Sequence, residues 1–502
     1  QTIRTNVHFV DKSAPPLQKP SQSVCACGLT SWGFIVELYQ VDVVHAILFS
    51  KEMDISKIPV DYWSAKFELI RGKGRDRVLL QFGVSNFRSI KEEVVLSMLA
   101  NENDDEHTEW LCSVGAERLI PVAAIYGANA AGKSNILIAM AVAIKLIRYS
   151  DLRGINNTLP DVVPFLFDAE MHTQPTRFDF IFVYKGKKYQ YGFSADKYRI
   201  MEEYLYAYES SEATKIFERK GMNQYSFPEG DEKRFNEYAE KNTANKLFLA
   251  TATSWNCAET KEPYMWFAEA IDVYNFERIR SEGLNIIEEA DQSLSDFLMK
   301  TLKDSDFNIS DYTFEDVPWT LAEFRQSGMS DVAAESLQRQ MLEDGGKRYR
   351  ITARHAIRTK AGKQYFDLPL QEESAGTEQM FFGAALIKRA MESEKTIIVD
   401  ELSAGLHPLL LQAIIKMFYD KDLNQTNAQL IFSTHDISLF NLELFRRDQI
   451  YFVEKENSTG ISTLYSLDEF SPAPVREDNV RESYLQGRYG AIPIISLEDT
   501  IW

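Results

Sequence analysis

Residues 127–136 read GANAAGKSNI, and Gly127, Gly132, Lys133 and Ser134 fill the pattern G-x(4)-G-K-[ST]. No other stretch constrains the fold as tightly. In such a loop the glycines let successive backbone N–H groups face phosphate oxygens, the lysine reaches the β- and γ-phosphates, and the serine hydroxyl can ligate Mg²⁺. On this reading a side chain at either glycine would crowd the phosphates. Asn129 and Asn135 lie in the same stretch and join it as candidate nucleotide contacts. About 0.02 chance matches are expected in a chain this long, and the flanks agree with a genuine site. PVAAIY (Pro121–Tyr126) reads as a buried parallel strand and NILIAMAVAIKLI (Asn135–Ile147) as a helix. Strand, glycine loop and helix place phosphates on a helix N-terminus.

The 502 residues are 45% hydrophobic and 26% charged, enough for a large core and more than one domain. A net charge of −19 gives no bulk attraction to nucleic acid or an anionic membrane. Cys25, Cys27, Cys112 and Cys257 include no CxxC pair, so free thiols in a reducing cytosol are expected. The most apolar window, Trp32–Ser50, carries Glu37, Gln40, Asp42 and His45, which argue against a membrane span. No signal segment is visible, so a cytoplasmic location is expected.

Pro15, Pro16, Pro20 and Pro59 interrupt the first 77 residues, and basic RGKGRDR (Arg71–Arg77) ends them. Residues 1–77 read as a leader or non-native extension, with the functional domain starting near Val78. VLLQFGVSNFRSIKEEVVLSML (Val78–Leu99) reads as two strands around a turn, and Thr176–Asp196 as a β-hairpin about Lys185-Gly186-Lys187. The expected scheme is a first ATPase half over 78–198, an inserted α+β or helical lid over 199–347, a second half over 348–445, and a C-terminal strand and tail over 446–502. Within the insertion, Leu284–Leu302 has helical periodicity. Long coiled-coil heptads and internal repeats are absent.

The second half of a nucleotide site is legible farther on. TIIVDE (Thr396–Glu401) is an apolar strand ending in two acids: Asp400 would hold Mg²⁺ through water, and Glu401 would orient or deprotonate the attacking water. IFSTHD (Ile431–Asp436) ends another apolar strand at His435. In EESAGTEQMFFGAALI, Ser374 and Gly376 stand just before an apolar helix. They form a second phosphate-binding device in a chain whose P-loop already supplies the first. The second device is therefore expected to face the nucleotide of a partner subunit.

The order NFRSI, GANAAGKSN, ESAGTEQ, IIVDELSAGLHP, IFSTHD resembles the ABC-class ATPases of the SMC/RecF/OLD group. It is most similar to stand-alone AAA-type ATP-binding proteins of bacterial anti-phage and abortive-infection loci, the RloA-like and OLD-like ATPases. The resemblance covers about Val78 to Pro493. It implies an α/β P-loop NTPase fold of the ABC ATPase type, a mixed sheet flanked by helices, with ATP and Mg²⁺ as cofactors. Lys133 and Ser134 would bind phosphate and Mg²⁺, Asp400 would be the Mg²⁺ ligand and Glu401 the catalytic base. Ser374 and Gly376 would be signature residues, Ser403–Pro408 the D-loop, and His435 the switch histidine, with Arg88 approaching the nucleotide. The signature departs from the transporter form L-S-G-G-Q, keeping only its Ser and second Gly. Gln174 reads as a solvent-facing residue and His407 as a D-loop or helix-capping residue.

Two functions follow from the resemblance. In the first, ATP closes two heads into a homodimer or higher oligomer, a switch in anti-phage defence. A nearly complete shift needs roughly 5.5 kcal/mol of preferential binding. The short remainder after His435 shows no Toprim-like acidic cluster, so a separately encoded nuclease or Toprim-like effector is expected. The alternative is a RecF- or SMC-like repair ATPase that binds DNA directly.

Overall fold

Alternating apolar residues build the first layer. The hairpin β1 (Leu79–Ser85) and β2 (Val94–Ser97) is followed by a small hairpin, β3 (Cys112–Val114) and β4 (Glu117–Leu119). The fully buried β5 (Val122–Tyr126) then leads through the glycine loop into α1 (Lys133–Arg148). A meander follows: β6 (Thr176–Tyr184), β7 (Lys187–Ala195), β8 (Ile200–Tyr208), β9 (Ala213–Lys220) and β10 (Gln224–Ser226). Lys185 and Gly186 join β6 to β7 with φ of 53° and 78°, the positive pair that a tight two-residue hairpin requires. These strands form one antiparallel sheet of order β10-β9-β8-β7-β6-β1-β2. Phe178, Phe180 and Phe182 alternate onto its inner face, and each such burial contributes roughly 1.5–3 kcal/mol.

Three helices cover that layer: α2 (Glu232–Ala239), α3 (Phe248–Ser254) and α4 (Ala258–Glu269), whose Trp266 stacks on Phe182 at 4.1 Å. The chain continues through β11 (Ile271–Tyr274), α5 (Phe276–Glu288), α6 (Gln292–Asp304), β12 (Ile309–Asp316) and α7 (Asp331–Glu343). Then come β13 (Tyr349–Thr359), β14 (Gly362–Pro369), α8 (Ala375–Ser393), β15 (Thr396–Val399) and α9 (Pro408–Tyr419). β16 (Gln429–Ser433), β17 (Ile450–Lys455), β18 (Ser462–Ser466) and α10 (Val480–Leu485) complete the succession. The computed structural model describes residues 76–209, 212–305, 307–318, 320–321, 330–343 and 349–493, all within the unit Gly72–Trp502. The expectation of a leader therefore lies, up to residue 75, outside the described residues, as do Cys25, Cys27 and the Trp32–Ser50 window.

The second sheet has the order β11-β15-β16-β5-β17-β18, parallel except for β18. Its strands are short apolar runs because both faces are covered. Along β5, Ala123 and Ile125 face a core shared with α1 and the antiparallel sheet, while Val122, Ala124 and Tyr126 face a core shared with α8 and α9. Ile398 and Ile431 go with the first set, Ile397, Leu430 and Phe432 with the second. The period-two alternation thus divides one sheet between two cores, giving the helix-flanked mixed α/β architecture expected.

Strands of the stretch expected as an inserted lid over 199–347 pair across its bounds: β8 with β7, β11 with β15, and β12 with β13. β17, the strand expected within 446–502, is the immediate neighbour of β5. The helix expected over Leu284–Leu302 is two helices, broken where the Asp291 carboxylate accepts the Leu294 N–H at 2.9 Å and starts α6 as its N-cap.

Candidate nucleotide-binding site

The loop between β5 and α1 holds Gly127 at φ 152°, Ala130 at 61° and Gly132 at 113°. A Cβ on Gly127 would stand 2.3 Å from the Val453 carbonyl oxygen, and one on Gly132 would stand 2.4 Å from Ser462 Oγ and 2.9 Å from Ser89 Oγ. These contacts come from β17, β18 and Ser89 of the turn after β1, so the back wall of the loop by itself leaves no room for a side chain at either glycine. Gly132, the N-cap of α1, offers no side chain to the first turn, where the Asn135 N–H donates to the Gly132 carbonyl at 3.0 Å.

The expected contacts divide around this loop. Asn129 is exposed on it. Asn135 is turned into a brace: its Nδ2 donates to Ser89 Oγ at 2.7 Å, and Ser462 Oγ contacts Ser89 Oγ at 2.8 Å and donates to the Ala131 carbonyl at 2.6 Å. Arg88 has φ 51°, and its backbone N–H donates to the Val163 carbonyl at 2.9 Å. Its guanidinium lies over Phe87 and its buried Nε has no protein partner.

Five residues expected to act together do converge. Lys133 Nζ donates to the carbonyls of Gly127 and Ala128 at 2.9 and 3.0 Å and lies 3.4 Å from His435 Nδ1. Ser134 Oγ donates to Asp400 Oδ1 at 3.2 Å, and His435 Nε2 is 3.8 Å from Glu401 Oε1. The sheet order explains the meeting: β16 lies between β5 and β15, so His435 emerges between the lysine and the acids. Burial pushes Lys133 down to about 8 against the pull of Asp400 and Glu401. Burial and then Asp400 raise Glu401, opposed by Lys133, while burial and Lys133 lower His435. Among the described residues no cluster of three or more His, Cys, Asp or Glu forms a metal cage. Ser134 and Asp400 supply hard oxygens, the donor type suited to a Mg²⁺ that keeps water and phosphate ligands.

Ser374 and Gly376 sit elsewhere. Ser374 caps α8, accepting the Thr377 N–H at 3.1 Å. Gly376 lies within the first turn of α8 rather than before the helix, where its missing Cβ would meet the Gly405 carbonyl at 2.5 Å. His407 Nδ1 accepts the Leu409 N–H at 3.2 Å and caps α9, and Gln174 is exposed.

A cavity of about 820 Å³ that sequence reasoning did not find opens beside Ala128–Ala131. Phe165, Phe167 and the 457–461 turn line it, with Lys455 Nζ 5.6 Å from the Phe167 ring centre. Lys91 and Asp168 pair across its rim at 2.8 Å. Its size and mixed lining suit a nucleoside. The residues come from loops distant in sequence, and an exposed phenylalanine in a loop carries no spacing signal.

Comparison with protein families matches residues 122–441 to the family described as "AAA domain, putative AbiEii toxin, Type IV TA system". The match includes the glycine loop, both acids and His435, and the chain belongs to this family. With the sheet order and loop geometry, this makes it an α/β P-loop protein of the AAA-domain class. Similar solved structures include an Smc head bound to the C-terminal winged-helix domain of ScpA, at 13% identity and a TM-score of 0.34, covering 78% of this chain and 97% of that one. A second is the Smc head with an extended coiled coil bound to the ScpA C-terminal domain from Pyrococcus furiosus, at 11% identity and a TM-score of 0.34, covering 82% and 99%. No curated protein matched. Among the described residues no helix is long and apolar enough to cross a membrane.

Proposed function

We propose that this chain binds ATP with Mg²⁺, hydrolyses it through Glu401, and uses bound ATP to close two copies into a switch. The convergence of Lys133, Ser134, Asp400, Glu401 and His435, drawn from three separate strand ends, carries this reading. Lys133 moves from its own loop carbonyls to the β- and γ-phosphates. Ser134 and Asp400 hold Mg²⁺, which when bound offsets phosphate charge. Glu401, whose proton affinity is raised by burial and Asp400, takes the proton of the attacking water, and His435 senses the terminal phosphate. The cavity beside the loop accepts the nucleoside.

Ser374 and Gly376, held away from this loop at the start of α8, would complete the site of a second copy. The family's description names a putative toxin of a type IV TA system; the motif order described above favours a cytoplasmic role in anti-phage defence with a separately encoded effector, nuclease or Toprim-like. A net charge of −19 counts against direct DNA binding as the primary task.

Light scattering on the Glu401→Gln protein tests the switch. ATP with Mg²⁺ should raise its mass to that of a dimer or more, and Lys133→Ala should abolish the change. An unchanged mass would remove Ser374 and Gly376 from any partner's site. ATP-dependent, salt-sensitive DNA binding by the isolated chain would favour the repair reading instead.

A further inference from the structure

We propose that Ser433 is the positioning residue of the hydrolytic centre, one hydroxyl setting the geometry of both acids. The inference rests on the nucleotide reading above and deepens it. Ser433 is the last residue of β16 and is fully buried. Its Oγ donates to Asp400 Oδ1 at 2.6 Å and accepts the Glu401 N–H at 2.8 Å, while its carbonyl accepts the Leu402 N–H at 3.2 Å. Three successive residues after β15 are thus tied to one residue of the neighbouring strand.

The arrangement is needed because Glu401 has φ 55°, in the left-handed region that disfavours a residue with a Cβ. Such a conformation persists where the surroundings fix it, and here the fixing bond is the one from the Glu401 N–H to Ser433. A hydroxyl has one proton and two lone pairs, so donating to Asp400 and accepting from Glu401 uses it in a single orientation. Asp400 Oδ1 also accepts the Ser134 hydroxyl, so one carboxylate oxygen is pinned from both the P-loop and β16. Ser433 stands two residues before His435, so the same strand end sets the separation of switch and base. No spacing rule in the sequence singles it out, because a serine ending a strand is common.

The test compares Ser433→Ala and Ser433→Thr in the full-length protein, reading ATP hydrolysis, binding of a fluorescent ATP analogue as Mg²⁺ is titrated, and thermal midpoint. Ser433→Ala should lower kcat roughly 10- to 100-fold, the usual effect of removing a partner behind a metal ligand. It should also raise the Mg²⁺ concentration for half-saturation and move the acid limb of the kcat profile to higher pH, with analogue affinity at saturating Mg²⁺ retained. Ser433→Thr, which keeps the hydroxyl, should restore all three. Wild-type kcat, Mg²⁺ dependence and pH profile in Ser433→Ala would overturn the proposal. So would equal losses in both variants that track a lowered thermal midpoint. If the wild-type chain binds no analogue and Lys133→Ala changes nothing, the nucleotide reading fails as well, a result distinct from either.

Discussion

Lys133 Nζ lies 3.4 Å from His435 Nδ1, joining the P-loop to the end of β16 across the gap between neighbouring parallel strands. The ammonium is otherwise satisfied by two carbonyls of its own loop. A cation so placed is partly desolvated, which is why its proton is held only to about pH 8.

Phosphate binding therefore competes with deprotonation of Lys133. ATP affinity should be constant below about pH 8 and fall above it, by up to tenfold per pH unit as the protonated fraction declines. Calorimetric titration between pH 7 and 9.5 would show the bend. A flat profile would mean that Lys133 stays charged when the site is open to solvent.

Two glycines of α8 should respond oppositely to alanine. A Cβ on Gly376 would strike the Gly405 backbone carbonyl at 2.5 Å, whereas one on Gly383 meets nothing within 4 Å. Gly376→Ala should cost about 1–3 kcal/mol by overpacking. Gly383→Ala should gain about 0.5–1 kcal/mol from helix propensity. Urea unfolding of the two variants is a direct comparison.

Asp272 on β11 gathers Arg148 at 2.7 Å, Arg278 at 2.9 Å and Lys395 at 2.5 Å. Burial alone would raise its carboxyl; the three cations outweigh that and hold it well below the usual range. The stability it confers is present at neutral pH and is lost progressively as pH falls below about 4. Asp272→Asn should cost about 3–5 kcal/mol at pH 7, because buried cations are left without a counter-charge. The gap in denaturant midpoint between wild type and variant should narrow from pH 7 to pH 3 without closing, because the carboxyl held so low is still ionised in the folded chain at pH 3.

Glu394 shows the opposite sign. Its buried carboxylate accepts the Asp76 N–H at 2.8 and 2.9 Å, yet burial outweighs these bonds and pushes its pKa up to about 7. The folded chain then holds this proton more tightly than the unfolded chain. Stability from this group is full at low pH and falls as pH rises toward about 7, by on the order of 3 kcal/mol. Glu394→Gln should flatten that slope in denaturation measured from pH 4 to 8.

What was legible in the sequence was local. The glycine loop, the apolar strands and the acids after TIIV announce themselves because spacing alone defines their chemistry. The Lys185-Gly186 turn was legible for the same reason. Strand partnership was not: β11 reads as a short apolar run in an expected insertion, and only its parallel pairing with β15 places it beside the acids. The break at Asp291 was hidden because the apolar period of α5 runs on into α6, while one carboxylate decides the cap. The bond from the Asn135 amide to Ser89, in a distant segment, was not legible either, because no spacing links the two.

The backing of Gly127 by the Val453 carbonyl has a consequence for biosynthesis. The glycine loop leaves the ribosome before the strand that supports it, whose Val453 follows Gly127 by 326 residues (453 − 127). At about 5–20 residues per second, the nascent loop waits on the order of tens of seconds for that support. A polypeptide released before β17 would lack the wall that stands behind Gly127.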